Sequence, residues 1–238
     1  MKVQFSSLSY LQNWKTRFVY FLLIPFIETS LLILVNAQYT NRLQWPVAIA
    51  SMVLSGGTLS MSTIAQLFVM DRNLKIDQEM AVNRPFSFNY WGTKIATSIS
   101  VGLTLIIINL VILSIFQAPL FLIIRALTMA PIIVLSGTVV GFLSVIAAWR
   151  NGNPYFYLNI LASLTSIVSG VLILVDRYPF WLKALSYLFP FSQTIKFVIT
   201  GTGKVYIDLA IDLIWILLGL SCYVTQLQKI LKHPTHLW

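Results

Sequence analysis

The sequence predicts an all-α polytopic membrane protein with six transmembrane helices. The chain has 238 residues, of which 58% are hydrophobic and 10% are charged, whereas soluble domains are about 45–50% apolar and about 25% charged. The apolar residues fall in six blocks, most of them close to the roughly 20 residues that a helix needs to cross a bilayer. A helix in lipid satisfies its own backbone hydrogen bonds, which open strands do not.

Residues 1–17 are predicted to form an interfacial helix before the first span. Phe5, Leu8, Leu11 and Trp14 recur at every third position and give an apolar stripe among polar side chains. Helices that lie in the plane of the membrane interface have this pattern. The alternative is a disordered tail.

The first predicted span is Phe18–Val35. Lys15 and Arg17 precede it and small residues follow it, as in a signal peptide, but Pro25 and Glu28 interrupt the long apolar run. We therefore expect a retained helix. An ionisable group at the depth of Glu28 usually faces a bundle interior or a water-filled cavity. It either lines a substrate path or holds helix packing through a hydrogen bond.

Five further blocks complete the six spans of residues 18–225. They are Pro46–Met70, Ile95–Phe116, Ala126–Ala148, Tyr155–Val175 and Leu209–Thr225. If the N-terminus is inside, the inner segments, including the tail at 226–238, hold ten of the sixteen Lys and Arg residues, as the positive-inside rule expects. We therefore expect a multi-pass protein of the plasma membrane, a bacterial cytoplasmic membrane, with both termini cytoplasmic.

The segment 176–208 is predicted to lie on the extracellular side as short re-entrant helices. It is rich in aromatic residues, which concentrate at membrane interfaces. Prolines and glycines divide it into pieces too short to cross a bilayer. Exposed irregular backbone cannot lie in hydrocarbon, so these pieces should pack against the bundle.

The fourth and sixth spans carry residues that indicate contacts inside the membrane. Gly137 and Gly141 have the spacing of small residues that let helices approach closely. The partner is either another helix of this chain or a second copy. Asp212 lies one turn inside the last span, and it lines a substrate path or sits at the interface.

No catalytic or metal-binding pattern stands out in the sequence. The string GTGK at Gly201–Lys204 lacks the first Gly and the final Ser or Thr of a phosphate-binding loop. His233 and His236 have no Cys or acidic residue nearby to complete a zinc site. The net charge of +9 is scattered at the ends of apolar blocks, which does not favour nucleic acid. We expect a transport subunit rather than an enzyme, with no metal and no cofactor of its own.

The charged insert at residues 71–94 is the strongest functional signal. It carries three acids and four bases between two apolar blocks. Such a segment can dock into a groove through apolar side chains and take its orientation from charge pairs. A solvated loop is the alternative, although structureless connections longer than about 12–15 residues are uncommon. The docking candidates are the apolar Leu74, Ile76 and Met80 and the charged Asp77, Glu79 and Arg84.

The insert resembles the cytoplasmic loop between spans two and three of ABC-2 type permeases, also called type V ABC exporters. A charged start with Glu79 is followed by Arg84-Pro85-Phe86-Ser87 and then by Lys94, in the order of that loop. The stretch LFPFSQTIKFVITG at Leu188–Gly201 resembles the family's Asn-Pro-centred segment before the last span, with Phe189 where Asn is usual. The predicted interfacial helix, six spans and broken segment are similar to that family too.

The resemblance implies one half of a transmembrane domain. Two copies, or two related chains, would pair in the lipid bilayer and bind two cytosolic ABC ATPase subunits, which would hold ATP and Mg. Coupling to ATP would pass through Asp77, Glu79, Met80 and Arg84. The exported substrate would be amphipathic, such as a peptide, lipid-like molecule or drug, as in bacteriocin or lantibiotic immunity and multidrug exporters. The alternatives are a non-transporting immunity or sensor subunit and an intramembrane enzyme.

Overall fold

The computed structural model describes residues 8–27, 30, 31, 34, 38 and 44–232. These residues form helices and turns, and no strand occurs among them. Two short helices, α1 (Ser9–Gln12) and α2 (Trp14–Phe18), lead into a π-helical turn at Val19–Leu23. The later helices are α3 (Trp45–Asn73), α4 (Ile76–Asn83), α5 (Phe88–Ile115), α6 (Leu120–Ala147), α7 (Phe156–Val168), α8 (Phe180–Ser186), α9 (Ser192–Thr200) and α10 (Val205–Lys232).

Four helices in the described part of the chain are long and apolar enough to cross a membrane: α3, α5, α6 and α10. They coincide with the second, third, fourth and sixth predicted spans. Each is 27 to 29 residues long, which is about 40 Å at 1.5 Å per residue and exceeds the roughly 30 Å of hydrocarbon in a bilayer. The chain is therefore all-helical and has the character of a membrane protein, as predicted.

The other two predicted spans have different outcomes. Phe18–Val35 falls partly outside the described residues, and Glu28 lies outside them altogether. The fifth block differs from its prediction because α7 ends at Val168 after 13 residues, about 20 Å. Gly170 then takes a φ of 83°, a left-handed conformation that glycine adopts readily, and turns the chain. Six membrane crossings therefore stay a prediction.

One part of the N-terminal segment packs into the bundle, and another part is exposed on its surface. Its helix breaks at Asn13, between α1 and α2. Leu8 is buried in a small cluster with Phe21 and with Leu67 of α3. Trp14, by contrast, is 72% exposed. Phe5, the first residue of the predicted apolar stripe, lies outside the described residues. The rest of the stripe packs partly into the bundle, and its place relative to a membrane stays a prediction.

Helix α3 lies at the centre of the bundle and packs most extensively against α6 and then α5. The backbones of α3 and α6 approach so closely that a Cβ atom at Gly137 would lie 2.0 Å from the Gly57 carbonyl oxygen. A Cβ atom at Gly141 would lie 2.6 Å from the Met61 carbonyl oxygen. The small-residue spacing predicted in the fourth span therefore serves a contact within the chain.

Helix α10 lies at the outside of the bundle. Only 17% of its most apolar window is buried, against 67% for the corresponding windows of α3 and α6. It joins the bundle mainly through α6. Leu213, Ile214 and Leu217 are exposed on its free side, which suits a surface in contact with lipid.

The segment 176–208 forms α8 and α9, separated by turns, and packs against the bundle. Phe189 is buried against Trp215 of α10 with ring centroids 5.7 Å apart. Lys196 Nζ lies 2.6 Å from Asp176 Oδ2, and the hydrogen bond from Lys196 lowers the pKa of the Asp176 carboxyl. Whether these short helices enter a membrane stays a prediction.

Candidate functional site

The charged insert at residues 71–94 comprises the end of α3, the short helix α4 and the first two turns of α5. It lies at one end of the bundle, here called the insert end. After α3, Lys75 takes a left-handed backbone conformation with a φ of 58°, which is uncommon for a residue other than glycine. This residue turns the chain into α4. After α4, the Ser87 hydroxyl accepts a hydrogen bond of 3.4 Å from the Tyr90 backbone N–H and caps α5, because serine is a preferred N-cap.

Next to α4 lies a cluster of five aromatic rings, here called the aromatic platform: Phe68, Trp91, Phe142, Trp149 and Tyr223. They come from α3, α5, α6 with the turn after it, and α10. Trp149 and Tyr223 stack with ring centroids 5.5 Å apart and planes 7° apart. Each such pair contributes about 0.5–1.5 kcal/mol beyond the burial of its area. The platform therefore ties all four long helices together at the insert end.

Asp77 fastens the first turn of α4 to the aromatic platform. The Trp149 indole N–H donates a hydrogen bond of 2.7 Å to Asp77 Oδ2, and Asp77 is only 3% exposed. Ala81, one turn later on the same face, is also buried. The carboxylate of Asp77 thus faces the bundle instead of the outward surface where the sequence prediction placed it. The sequence around Asp77 has too few apolar residues to indicate which face of α4 packs inward.

A buried ion pair joins the two ends of the insert. Lys94 Nζ lies 2.7 Å from Asp71 Oδ2 and donates a second hydrogen bond of 2.9 Å to the Leu67 carbonyl oxygen. It also lies 4.9 Å from the centre of the Tyr90 ring. A buried charge is tolerated when it is paired and hydrogen-bonded in this way. The pair holds the end of α3 against the beginning of α5.

Two further contacts fix the chain on either side of α4. The Arg72 guanidinium donates a hydrogen bond of 2.8 Å to the Asn151 carbonyl oxygen, close to the end of α6, where a cation is favourable. The Pro85 carbonyl oxygen accepts hydrogen bonds from the Trp91 indole and the Tyr223 hydroxyl. Movement of α4 is therefore linked to α6 and α10 as well as to its chain neighbours.

The outward side of the insert combines apolar and charged side chains. Leu74 and Val82 are 59% and 60% exposed. Ile76, Glu79 and Arg84 are exposed as well, whereas Met80 is half-buried. Grouped exposed apolar side chains mark interaction surfaces more often than inert ones. Of the four residues predicted to couple to an ATPase, Glu79 and Arg84 thus lie on the surface.

An apolar cavity of about 350 Å³ opens between α5, α6 and α10 beside the aromatic platform. Its polar lining consists of hydroxyl groups and the Trp91 indole, and no described charged residue lines it. Its mouth includes Phe88, which is 87% exposed. Such a cavity suits an alkyl chain or an apolar ring rather than a charged group.

Helix α10 buries two acids, Asp208 and Asp212, of which the sequence analysis named only Asp212 as a candidate. Asp212 is buried, and the Ser136 hydroxyl donates a hydrogen bond of 2.6 Å to Asp212 Oδ2. Asp208, one turn earlier, is fully buried against Thr194, although sequence reasoning treated it only as the end of the outer segment. The four-residue spacing of two acids on one apolar helix was the signal that could have found it. Glu28, the other predicted acid, lies outside the described residues.

Within residues 8–27 and 44–232, no group of three or more His, Cys, Asp or Glu side chains could hold a metal ion. His233 and His236 lie outside the described part of the chain. No known protein family, curated protein or solved structure matches this sequence. The functional argument therefore depends on the geometry of the insert end and the bundle.

Proposed function

We propose that the chain is the membrane-spanning permease half of an ATP-driven exporter of the ABC-2 type. It crosses the membrane six times with both termini in the cytoplasm, and the insert end faces the cytoplasm. ATP and Mg are bound and used by separate ATPase subunits. The observation that carries this proposal is the two-sided helix α4, whose inner side is fastened to the bundle while its outer side presents exposed apolar and charged residues.

The outer side of α4 has the chemistry of a docking element. Leu74, Ile76 and Val82 offer apolar side chains to a groove, and Glu79 and Arg84 offer one charge of each sign. Complementary charges fix the orientation of a partner and raise the rate of association. A helix that is fastened to the bundle on one side can transmit the movement of a bound partner to the bundle, whereas a solvated loop would not.

The inner side of α4 has the connections that a transmission element needs. Asp77 links it to the turn after α6 through Trp149, and Pro85 links it to α10 through Tyr223. Closure of two ATPase subunits would move α4 and, with it, the ends of several long helices. The bundle would then switch between two packings, biased by ATP binding.

The exported substrate is an amphipathic molecule such as a peptide, a lipid-like molecule or a drug. Support comes from the apolar cavity beside the aromatic platform, which opens among exposed apolar side chains and is lined by Trp91, Phe142 and Tyr223. A second permease chain completes the pathway. The residues that line the cavity fit equally well with a second copy of this chain and with a related chain as the second permease.

The proposal is tested by reversing the two exposed charges of the insert in a Glu79→Lys/Arg84→Glu variant. We expect the variant to insert into the membrane normally but to capture a cytosolic ATPase from the cell extract about tenfold less well, because about 1.4 kcal/mol of charge complementarity is lost. Capture is measured by affinity purification of the tagged permease from membranes, followed by assay of Mg-dependent ATP hydrolysis.

The matched control for this test is Arg177→Glu, a charge reversal at an exposed residue of the outer segment. It should leave capture unchanged. Equal capture by the insert variant and the control would contradict the docking assignment. Failure of the unaltered chain to capture any ATPase would contradict the permease proposal itself.

A further inference from the structure

Helix α10 buries two carboxyl groups one turn apart, Asp208 and Asp212, which are 0% and 3% exposed. Neither belongs to an ion pair: within the described residues the pairs are Lys94 with Asp71 and Lys196 with Asp176. Four residues of helix place both side chains on the same face. The bundle interior therefore holds two acids close together without a paired cation.

The two acids have different surroundings. Asp208 Oδ2 accepts two hydrogen bonds of 2.7 Å from the backbone N–H and the hydroxyl of Thr194. Thr194 lies in the first turn of α9, where the helix dipole and the free N–H groups stabilise a negative charge. Asp208 Oδ2 thus has two donors, whereas Asp208 Oδ1 is buried without a hydrogen-bond partner among the described residues.

Asp212 has no comparable support. Its Oδ2 accepts one hydrogen bond from the Ser136 hydroxyl, and its Oδ1 is buried without a hydrogen-bond partner among the described residues. A carboxylic acid can in turn donate to Ser136 Oγ over the same 2.6 Å. An ionised Asp212 would place a second negative charge one turn from Asp208 with a single neutral donor beside it, which a low-dielectric interior strongly disfavours.

The charged groups on the neighbouring elements do not compensate Asp212. Arg125, the one charged residue of α6, precedes Ser136 by eleven positions, about 16 Å along the helix. Lys196, the one charged residue of α9, is paired with Asp176. The side chain of Lys204, just before α10, is exposed.

The charged groups near the insert end are also far from Asp212. Asp77 and Glu79 of α4 lie at the insert end with Tyr223, which is eleven positions after Asp212, again about 16 Å away. Lys229, further along α10, is more distant still.

We infer that Asp212 is the proton-binding member of this pair in the interior of the bundle, while the two donors of Thr194 hold Asp208 as a carboxylate. Loss of the proton to water leaves two adjacent carboxylates facing α6 and α9. Their repulsion weakens the packing of α10, which is already the least buried of the long helices. Proton release thus acts as a switch on the contact between α6 and α10.

A polar cavity lies near the two buried acids. It has a volume of about 510 Å³ and is lined by Gln193, Lys196, Lys204 and Ile207, among others. Ile207 directly precedes Asp208. Ile207 is five positions before Asp212, so the cavity lies about 7.5 Å from Asp212 along the helix axis.

The test uses the full chain in lipid nanodiscs, with an isotope label in the side-chain carboxyl of aspartate. Infrared spectroscopy separates the carbonyl stretch of a protonated carboxyl from a carboxylate, and the label separates aspartate from glutamate. We expect one protonated aspartate per chain near neutral pH. The band should disappear in Asp212→Asn, because asparagine keeps the shape of the acid and one acceptor oxygen but does not bind the proton. Asp176→Asn, at an exposed acid, is the control and should keep the band.

The inference is overturned if the unaltered chain shows no protonated aspartate near neutral pH, or if the band persists in Asp212→Asn. A second measurement does not depend on the infrared variants. Alkaline pH should lower the thermal midpoint of the unaltered chain but not that of Asp212→Asn, and equal loss in both contradicts the switch. None of these readouts involves an ATPase, so their failure is distinct from failure of the permease proposal.

Discussion

Replacing Gly137 by alanine is expected to lower the free energy of unfolding by about 3 kcal/mol, at the upper end of overpacking substitutions. The new Cβ atom would lie 2.0 Å from the carbonyl oxygen of Gly57. Because that oxygen is part of the α3 backbone, no side-chain rotation relieves the clash, and α3 and α6 must separate. Unfolding in a denaturing detergent, followed by circular dichroism, measures the loss.

The chain offers a matched control for this substitution. At Gly152, in the turn after α6, an added Cβ atom meets nothing within 4 Å, and Gly152→Ala should leave stability nearly unchanged. If both variants unfolded at the same denaturant concentration, the close approach of α3 and α6 would be refuted.

Replacing Lys94 by methionine is expected to cost about 3–5 kcal/mol, the range for breaking one partner of a buried ion pair. The substitution removes the amine from Asp71 Oδ2 and from the Leu67 carbonyl oxygen. The Asp71 side chain is only 18% exposed, so its charge would be left with little water. The loss of stability is measured by unfolding in a denaturing detergent, followed by circular dichroism.

A double variant distinguishes charge from packing at this position. Asp71→Asn/Lys94→Met removes both charges and should recover part of the stability lost in Lys94→Met, since no unpaired ion remains. Lys204→Met, at an exposed lysine, is the control and should change little. A Lys94→Met variant as stable as this control would contradict the buried pair.

The long helices could be predicted from sequence because their signal is local. Continuous apolar runs place α3, α5, α6 and α10 within a few residues of the predicted blocks. The prediction of one long helix for the fifth block was wrong because Gly170 turns the chain. The residues after that turn are also apolar, so composition alone does not show where the helix ends.

The details of the candidate site could not be predicted because they depend on distant parts of the chain. Asp77 looks like a surface residue until Trp149, 72 positions later, binds it. The exposed side chains of Glu79 and Arg84 agree with the surface position expected of them. The spacing of Asp208 and Asp212 is visible in the sequence, but the contact of Asp208 with Thr194 in the first turn of α9 is not.

The peripheral position of α10 bears on the order in which the chain assembles. Helices α3, α5 and α6 form a continuous part of the sequence and pack against one another. They can therefore associate during synthesis, before α10 leaves the ribosome. The two carboxyl groups of α10 then find Ser136 and Thr194 in a scaffold that already exists, so α10, which is made after the other three long helices, closes the polar interior.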